Sequence, residues 1–280
     1  MSSSGTLYIV ATPIGNLEDM SFRAVRILQT VDWIAAEDTR HTGKLLHHFQ
    51  IATPQISYHE HNRTSRIPEL LERLRQGKSI ALVTDAGMPG ISDPGYELVK
   101  ACADAEILIV PIPGASAAIA ALTVSGLPMD RFVFEGFLPA KSQARRAYLE
   151  GLQTETRTLI FYESPHRLRQ MLSDLVLLGN DREIVLAREL TKLHEEIWRG
   201  TIAEAILRYR DREPQGEFTL VVAGAIQTQP VLSEAALMAE LDRLIRQGLS
   251  RSQASRQLAE QTSLPRRQIY QLALTIPDES

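Results

Sequence analysis

Three groups of residues in this chain have types and spacings that could do chemistry. Glu37 and Asp38 stand side by side after the apolar run 33–36, and Arg40 two residues on could hold one of them ionised. Glu163 likewise closes the run 158–162, with His166 and Arg167 close behind it. Carboxylates beside a guanidinium suit proton transfer, or else they are structural ion pairs at strand ends. The third group is TDAGMPGISDPG (84–95), where Asp85 stands among glycines and prolines too dense for either helix or strand. Such a loop suits binding, because small residues let backbone amides approach a guest. The segment PIPGASA (111–117), carrying Ser116 and Ala117, is a second loop of the same kind.

Several familiar chemistries are missing. No GxGxxG follows the first apolar run, where TPIGN (12–16) stands instead, and no GxxxxGK[ST] occurs, so dinucleotides and phosphate-loop nucleotides lose their usual warrant. A loop pair with Asp85, small residues and no lysine suits a ligand with hydroxyls, an adenine face and little net charge. S-adenosylmethionine is one such ligand. The sequence HEHN (59–62) would put two imidazoles on one side of an extended segment, but no HExxH pair accompanies it. No metal is expected, and HEHN reads as a polar lid, a substrate contact or a surface loop.

Elements that could position these groups are readable from periodicity. Residues 7–10, 33–36, 80–83 and 107–110 are short continuous apolar runs of the sort shown by strands buried on both faces. Between them, 21–29, 42–49 and 68–76 have helical spacing, with Phe22, Val25, Ile27 and Leu28 on one face of the first and Gly77 stopping the last. This rhythm predicts a parallel sheet flanked by helices, with the polar loops gathered at the strands' carboxyl ends, where such sheets bind ligands. A second portion, from about residue 128, has aromatic and β-branched strands at 131–134, 158–162, 184–187 and 218–223 and a basic helix over 142–152, which predicts a mixed sheet. The expected organisation is therefore α/β in two domains, 1–127 and 128–229, followed by a helical appendage over 230–280. In that appendage Leu237, Leu241, Leu244 and Ile245 mark one helix, Ser250 with Gln253 caps a second, and Ser263 with Pro265 opens a third. Three short helices resemble a helix-turn-helix unit, but balanced charge makes DNA reading a weak case.

The chain has 280 residues, of which 44% are hydrophobic, enough for two modest cores. Its net charge of −4 gives no global pull toward nucleic acid, so an RNA partner would need local basic patches. The start, MSSSGT, lacks the basic and apolar parts of a secretion signal, and no run approaches the ~18 residues of a membrane span; a cytoplasmic location is expected. The single cysteine, Cys102, excludes an internal disulfide and reads as a buried helix residue.

Taken together, LYIVATPIGNLED (7–19), AAEDTRHTGKLL (35–46), TDAGMPGISDPG (84–95), PIPGASA (111–117), FEGFLPAK (134–141), FYESPHRL (161–168), LARELTK (186–192) and GEFTLVV (216–222) resemble the motif series of the tetrapyrrole-methylase superfamily. Within it they are similar to the bacterial branch that methylates the ribose 2′-hydroxyl of a cytidine in small-subunit ribosomal RNA. The resemblance implies a two-domain α/β homodimer that holds S-adenosylmethionine between its domains. By motif it implies cofactor contacts at Asp85, Met88, Ser116, Ala117, Tyr162, Glu163, Thr219 and Leu220. The porphyrin relatives have GDP where this chain has TDAG, which leaves the contacts at Ala86 and Gly87 open. Candidate proton acceptors are Glu37, Asp38 and Glu163, with Arg40 as phosphate holder or hydroxyl activator. Candidate RNA contacts are Arg23, Lys141, Arg145, Arg146 and Arg167, on free ribosomal RNA or on the assembled small subunit. Rival readings are a methyltransferase of small tetrapyrroles and a helix-turn-helix regulator.

Overall fold

The apolar runs at 7–10, 33–36 and 80–83 become strands buried largely on both faces, whereas the run at 107–110, expected to be of the same kind, becomes an edge strand with Leu108 61% exposed. The computed structural model describes residues 5–226, 233–262 and 264–276. In the first lobe β1 (Thr6–Val10), β2 (Trp33–Ala36), β3 (Gln55–Ser57), β4 (Ile80–Val83) and β5 (Leu108–Ile112) form a wholly parallel sheet in the order β3-β2-β4-β1-β5. Strand alternation splits each strand between two cores. Leu7, Ile9, Ala35, Ile80 and Leu82 meet Leu70 and Leu74 of α3 (Arg63–Arg75) and Leu98 and Cys102 of α4 (Tyr96–Asp104). Val10, Ile34, Ala36, Ala81 and Val83 meet Leu28 of α1 (Phe22–Thr30) and Leu46 of α2 (Thr39–His48). Pro111, which cannot donate to a ladder, falls on β5 at the sheet's edge.

The second lobe is mixed, as its composition predicts. β6 (Phe132–Phe137) runs parallel to β7 (Thr158–Glu163), while β10 (Phe218–Val222), β8 (Glu183–Arg188) and β9 (Glu196–Thr201) complete the order β6-β7-β10-β8-β9 with antiparallel pairings. One face packs on α7 (Pro165–Leu175) and α8 (Ile202–Arg210), and α6 (Ser142–Gly151) sends Leu149 into the same core. The other face packs on α5 (Ala117–Ser125), whose Ala118, Ala121 and Leu122 meet Ile160, Val185 and Val221. Thus a helix that starts at the end of the first sheet is buried against the second. The two lobes form one compact unit ending at Ala225.

The described residues beyond it form a separate unit: α9 (Glu234–Arg246), α10 (Arg251–Gln261) and α11 (Arg266–Leu274) bury Leu237, Leu241, Leu244, Ala254, Leu258 and Ile269 together. The Ser250–Gln253 capping box is present, while Ser263 and the expected boundary at 229/230 lie outside the described residues.

Two expectations change here. The third helix starts at Arg63, not Pro68, and takes the proline into its interior; Asn62 precedes it, accepting from His59 N at 2.9 Å and donating to Ser57 O at 3.1 Å. HEHN is therefore a hydrogen-bonded turn that leads into α3. Phe22, expected on the buried face of α1, is 97% exposed, because it opens the helix on the side away from Ala24 and Leu28. Cys102 is fully buried, and burial pushes its thiol up to about 11. We expect a chromogenic disulfide reagent to titrate no thiol in the native protein and one equivalent after denaturation; rapid native reaction would contradict this packing.

Among the described residues no helix is long and apolar enough to cross a membrane, and no group of three or more His, Cys, Asp or Glu side chains could hold a metal ion.

Candidate functional site

The loops gather at the carboxyl ends of β1, β2, β4 and β5. The loop after β1 is tied to the loop after β4 by a pair of backbone bonds, Thr12 N to Gly87 O at 2.9 Å and Gly87 N to Thr12 O at 3.1 Å. Gly87 takes a left-handed φ of 82°, which glycine adopts without the Cβ penalty of other residues. The β4 loop is pinched shut at its far end, where a Cβ on Gly95 would sit 2.8 Å from Gly90 N. From the second lobe, the Tyr162 phenol reaches the N-terminus of α5 and accepts from Ala118 N at 3.1 Å.

Between the lobes lies a cavity of about 380 Å³, within the range of small-ligand sites. Six of the expected cofactor residues line it: Met88, Ser116, Ala117, Tyr162, Glu163 and Thr219. Asp85 does not; it lines a separate cavity of about 270 Å³ with Thr12, His41, Lys44 and Thr84. Leu220 is a correction. Strand alternation turns Thr219 toward the cavity and Leu220 to the opposite face, where it is fully buried against the core of the second lobe. Asp93, Ala187 and Leu190 also line the main cavity and were not singled out beforehand.

The carboxylates differ in environment. Asp38 caps α2 and is gripped by Arg40 through its backbone N at 2.8 Å, Nε at 3.1 Å and Nη2 at 2.8 Å, which holds the carboxyl far below its ordinary range and raises the guanidinium. A carboxylate so strongly acidic is a weak proton acceptor near neutrality. Glu37 is pushed up mainly by burial, opposed by a bond from Asp85 N at 3.4 Å and reinforced by the charge of Asp85. Asp85 in turn accepts from Asp38 N at 3.3 Å, so the ends of β2 and β4 are cross-linked. Glu163 is 2% exposed and raised by burial; Ser164 N donates to its Oε1 at 2.8 Å and Arg167 lies 3.3 Å away, while Oε2 is buried with no partner.

Among the basic candidates, Arg23 and Lys141 are exposed, and the half-exposed Arg146 touches Asp174 at 3.0 Å. Arg167 is partly buried, donating to Leu138 O at 2.6 Å. Arg145 is a second correction: it is 1% exposed, donates to Asp174 Oδ2 from Nε at 2.8 Å and spends Nη1 on the carbonyls of Pro139 and Ala140. It holds the second lobe together and presents nothing to RNA.

Residues 6–206, which include both lobes' cavity-lining loops up to Leu190, match the model of the tetrapyrrole (corrin/porphyrin) methylases, and the chain belongs to that family. It is a methyltransferase. It is similar over nearly its whole length to proteins named ribosomal RNA small subunit methyltransferase I: that of Synechocystis sp. is 62% identical, covering 97% of this chain and 98% of the relative. That of Xylella fastidiosa is 50% identical over 96% and 99% respectively. Among solved structures, the uroporphyrin-III C-methyltransferase of Thermus thermophilus complexed with S-adenosyl homocysteine superposes with a TM-score of 0.56 at 15% identity, covering 78% of this chain and 97% of the other, which establishes likeness of fold.

Proposed function

We propose that the protein transfers a methyl group from S-adenosylmethionine to the 2′-hydroxyl of a cytidine ribose in small-subunit ribosomal RNA, working as a homodimer in the cytoplasm. The observation that carries the donor site is the cavity at the lobe seam. Gly87, Ser116, Ala117 and Ala187 keep its walls low, Thr219 supplies a hydroxyl, and the unpartnered Glu163 Oε2 can accept from an amino group or a ribose hydroxyl. A buried acceptor left unsatisfied costs about 1–3 kcal/mol, which a donor with N–H or O–H groups would recover. The residues present therefore fit the group, which would supply an activated methyl when bound. Holding the acceptor hydroxyl in line is then the chain's main task, and alignment can supply up to about 7–11 kcal/mol.

The RNA choice follows from the relatives' names and from the exposed cations Arg23, Lys141 and Arg146 rather than from overall charge. A tetrapyrrole acceptor is the competing outcome. With methyl-labelled donor and small ribosomal subunits lacking the modification, we expect label in a cytidine nucleotide whose 3′ linkage resists alkali, because alkaline cleavage needs a free 2′-hydroxyl. Label in alkali-released monomers would move the methyl to a base, and label only in added tetrapyrrole would replace the RNA reading.

A further inference from the structure

We propose that Asp93, in the last turn of the β4 loop, is the group that takes the proton from the acceptor hydroxyl. The inference rests on the ribose reading above and assigns it a catalytic residue that the motifs did not point to.

Position comes first. Asp93 lines the main cavity from the first lobe, and its charge is felt at Tyr162 on the opposite wall. The turn carrying it is fixed on both sides. Ser92 before it takes a φ of 64°, Pro94 follows, and Gly90 and Gly95 close the loop behind. In front, the loop leans on the second lobe where β6 shifts register: a Cβ on Gly136 would meet Ser92 Oγ at 3.1 Å, so a small residue there lets the loop approach. Asp93 is thereby held at the seam where donor and acceptor must meet.

Its freedom comes second. Each other carboxylate of the region accepts at least one hydrogen bond: Asp38 from Arg40, Glu37 from Asp85 N, Asp85 from Asp38 N, Glu163 on Oε1 from Ser164 N, and Glu217 from Lys192 Nζ at 2.8 Å. Among the described residues no cation or hydrogen-bond donor is paired with Asp93. The groups facing it are Glu37 at the end of β2, Asp85 at the end of β4 and Tyr162 on β7, and none of these is a cation. Burial, followed by the charges of Glu37 and Asp85, pushes its carboxyl up to about 7, the range in which a base is most useful at neutral pH.

The step balances. As the ribose oxygen forms its bond to the methyl carbon, the methyl–sulfur bonding pair stays on sulfur and the sulfonium becomes a neutral thioether. The hydroxyl proton passes to an Asp93 carboxylate oxygen and then to water.

The test is Asp93→Asn, with single-turnover methyl transfer to small subunits measured against pH and binding of S-adenosylhomocysteine measured by calorimetry. A protonated Asp93 cannot accept a proton, so the wild-type rate should rise with pH through about 7 and level off above it. In Asp93→Asn the rate should fall by about 10²–10⁴-fold and lose that limb, with affinity for the thioether product within threefold of wild type. Glu37→Gln removes one of the charges that raise Asp93 and should move the limb to lower pH. Asp93→Asn retaining its rate within fivefold would overturn the assignment. So would a tenfold loss of affinity with an unchanged rate at saturation, which would make Asp93 a donor contact. Wild-type transfer to an RNA ribose is run in parallel. If that product forms and Asp93→Asn is active, only the Asp93 assignment falls; if it does not form, the ribose reading falls too.

Discussion

Gly87→Val should lower the affinity for S-adenosylhomocysteine by about 100-fold, equivalent to roughly 2.7 kcal/mol, while Gly87→Ala should cost about tenfold. The difference follows from the geometry. At φ 82° any Cβ brings a left-handed penalty of about 1–2 kcal/mol; the free turn can relax that strain by leaving the binding geometry, and restoring the geometry on binding sets the cost of alanine. The alanine Cβ itself would fit, lying 3.7 Å from Ile14 Cγ2 and 3.9 Å from Ala115 O. Valine adds branches that must enter the space shared by Ile14 and the cavity, and relief of that clash would pull Gly87 away from its paired bonds to Thr12. Calorimetry on variants whose thermal melts remain cooperative checks the series. Wild-type affinity in Gly87→Val would show that the donor does not approach this turn.

Arg145→Ala should destabilise the fold by about 3–5 kcal/mol, because it strands a buried Asp174 and two carbonyls that the guanidinium now satisfies. The half-exposed Arg146 still reaches Asp174 at 3.0 Å, which places the expected cost at the lower end. Lys141→Ala should do the opposite: little change in stability, with weaker RNA binding and a salt dependence shallower by about one charge. Urea unfolding and salt-dependent binding, measured on both variants, separate a structural arginine from an RNA-facing lysine. A stable Arg145→Ala with a reduced salt slope would restore the role expected from sequence.

That pair also shows where sequence reading stops. ARRAYLEG looks like a basic surface helix, yet Arg145 and Leu149 are four residues apart on one face, and that face is the buried one. The spacing was available, but the partner Asp174 lies 29 positions away and only the fold brings it near. Leu220 carries the same lesson in a strand: alternation sends its side chain into the core of the second lobe, away from the cavity that Thr219 lines. The parallel sheet was legible because β1, β2 and β4 are buried on both sides and must be continuously apolar, and the loops were legible because glycine and proline exclude regular structure. Phe22 misled because an aromatic at a helix's first residue need not lie on its packed side. Asp93 stood inside a stretch already read as a binding loop, but what sets it apart is tertiary: a cavity wall, two nearby acids and no paired cation among the described residues.

The central claim is that the methyl donor is held at the seam of the two lobes, and a crystal of the protein soaked with S-adenosylhomocysteine tests it most directly. Density between Gly87, Ser116, Tyr162 and Thr219 is the expected result. Density instead in the smaller cavity beside Thr12, Lys44 and Asp85, with the seam open, would contradict it.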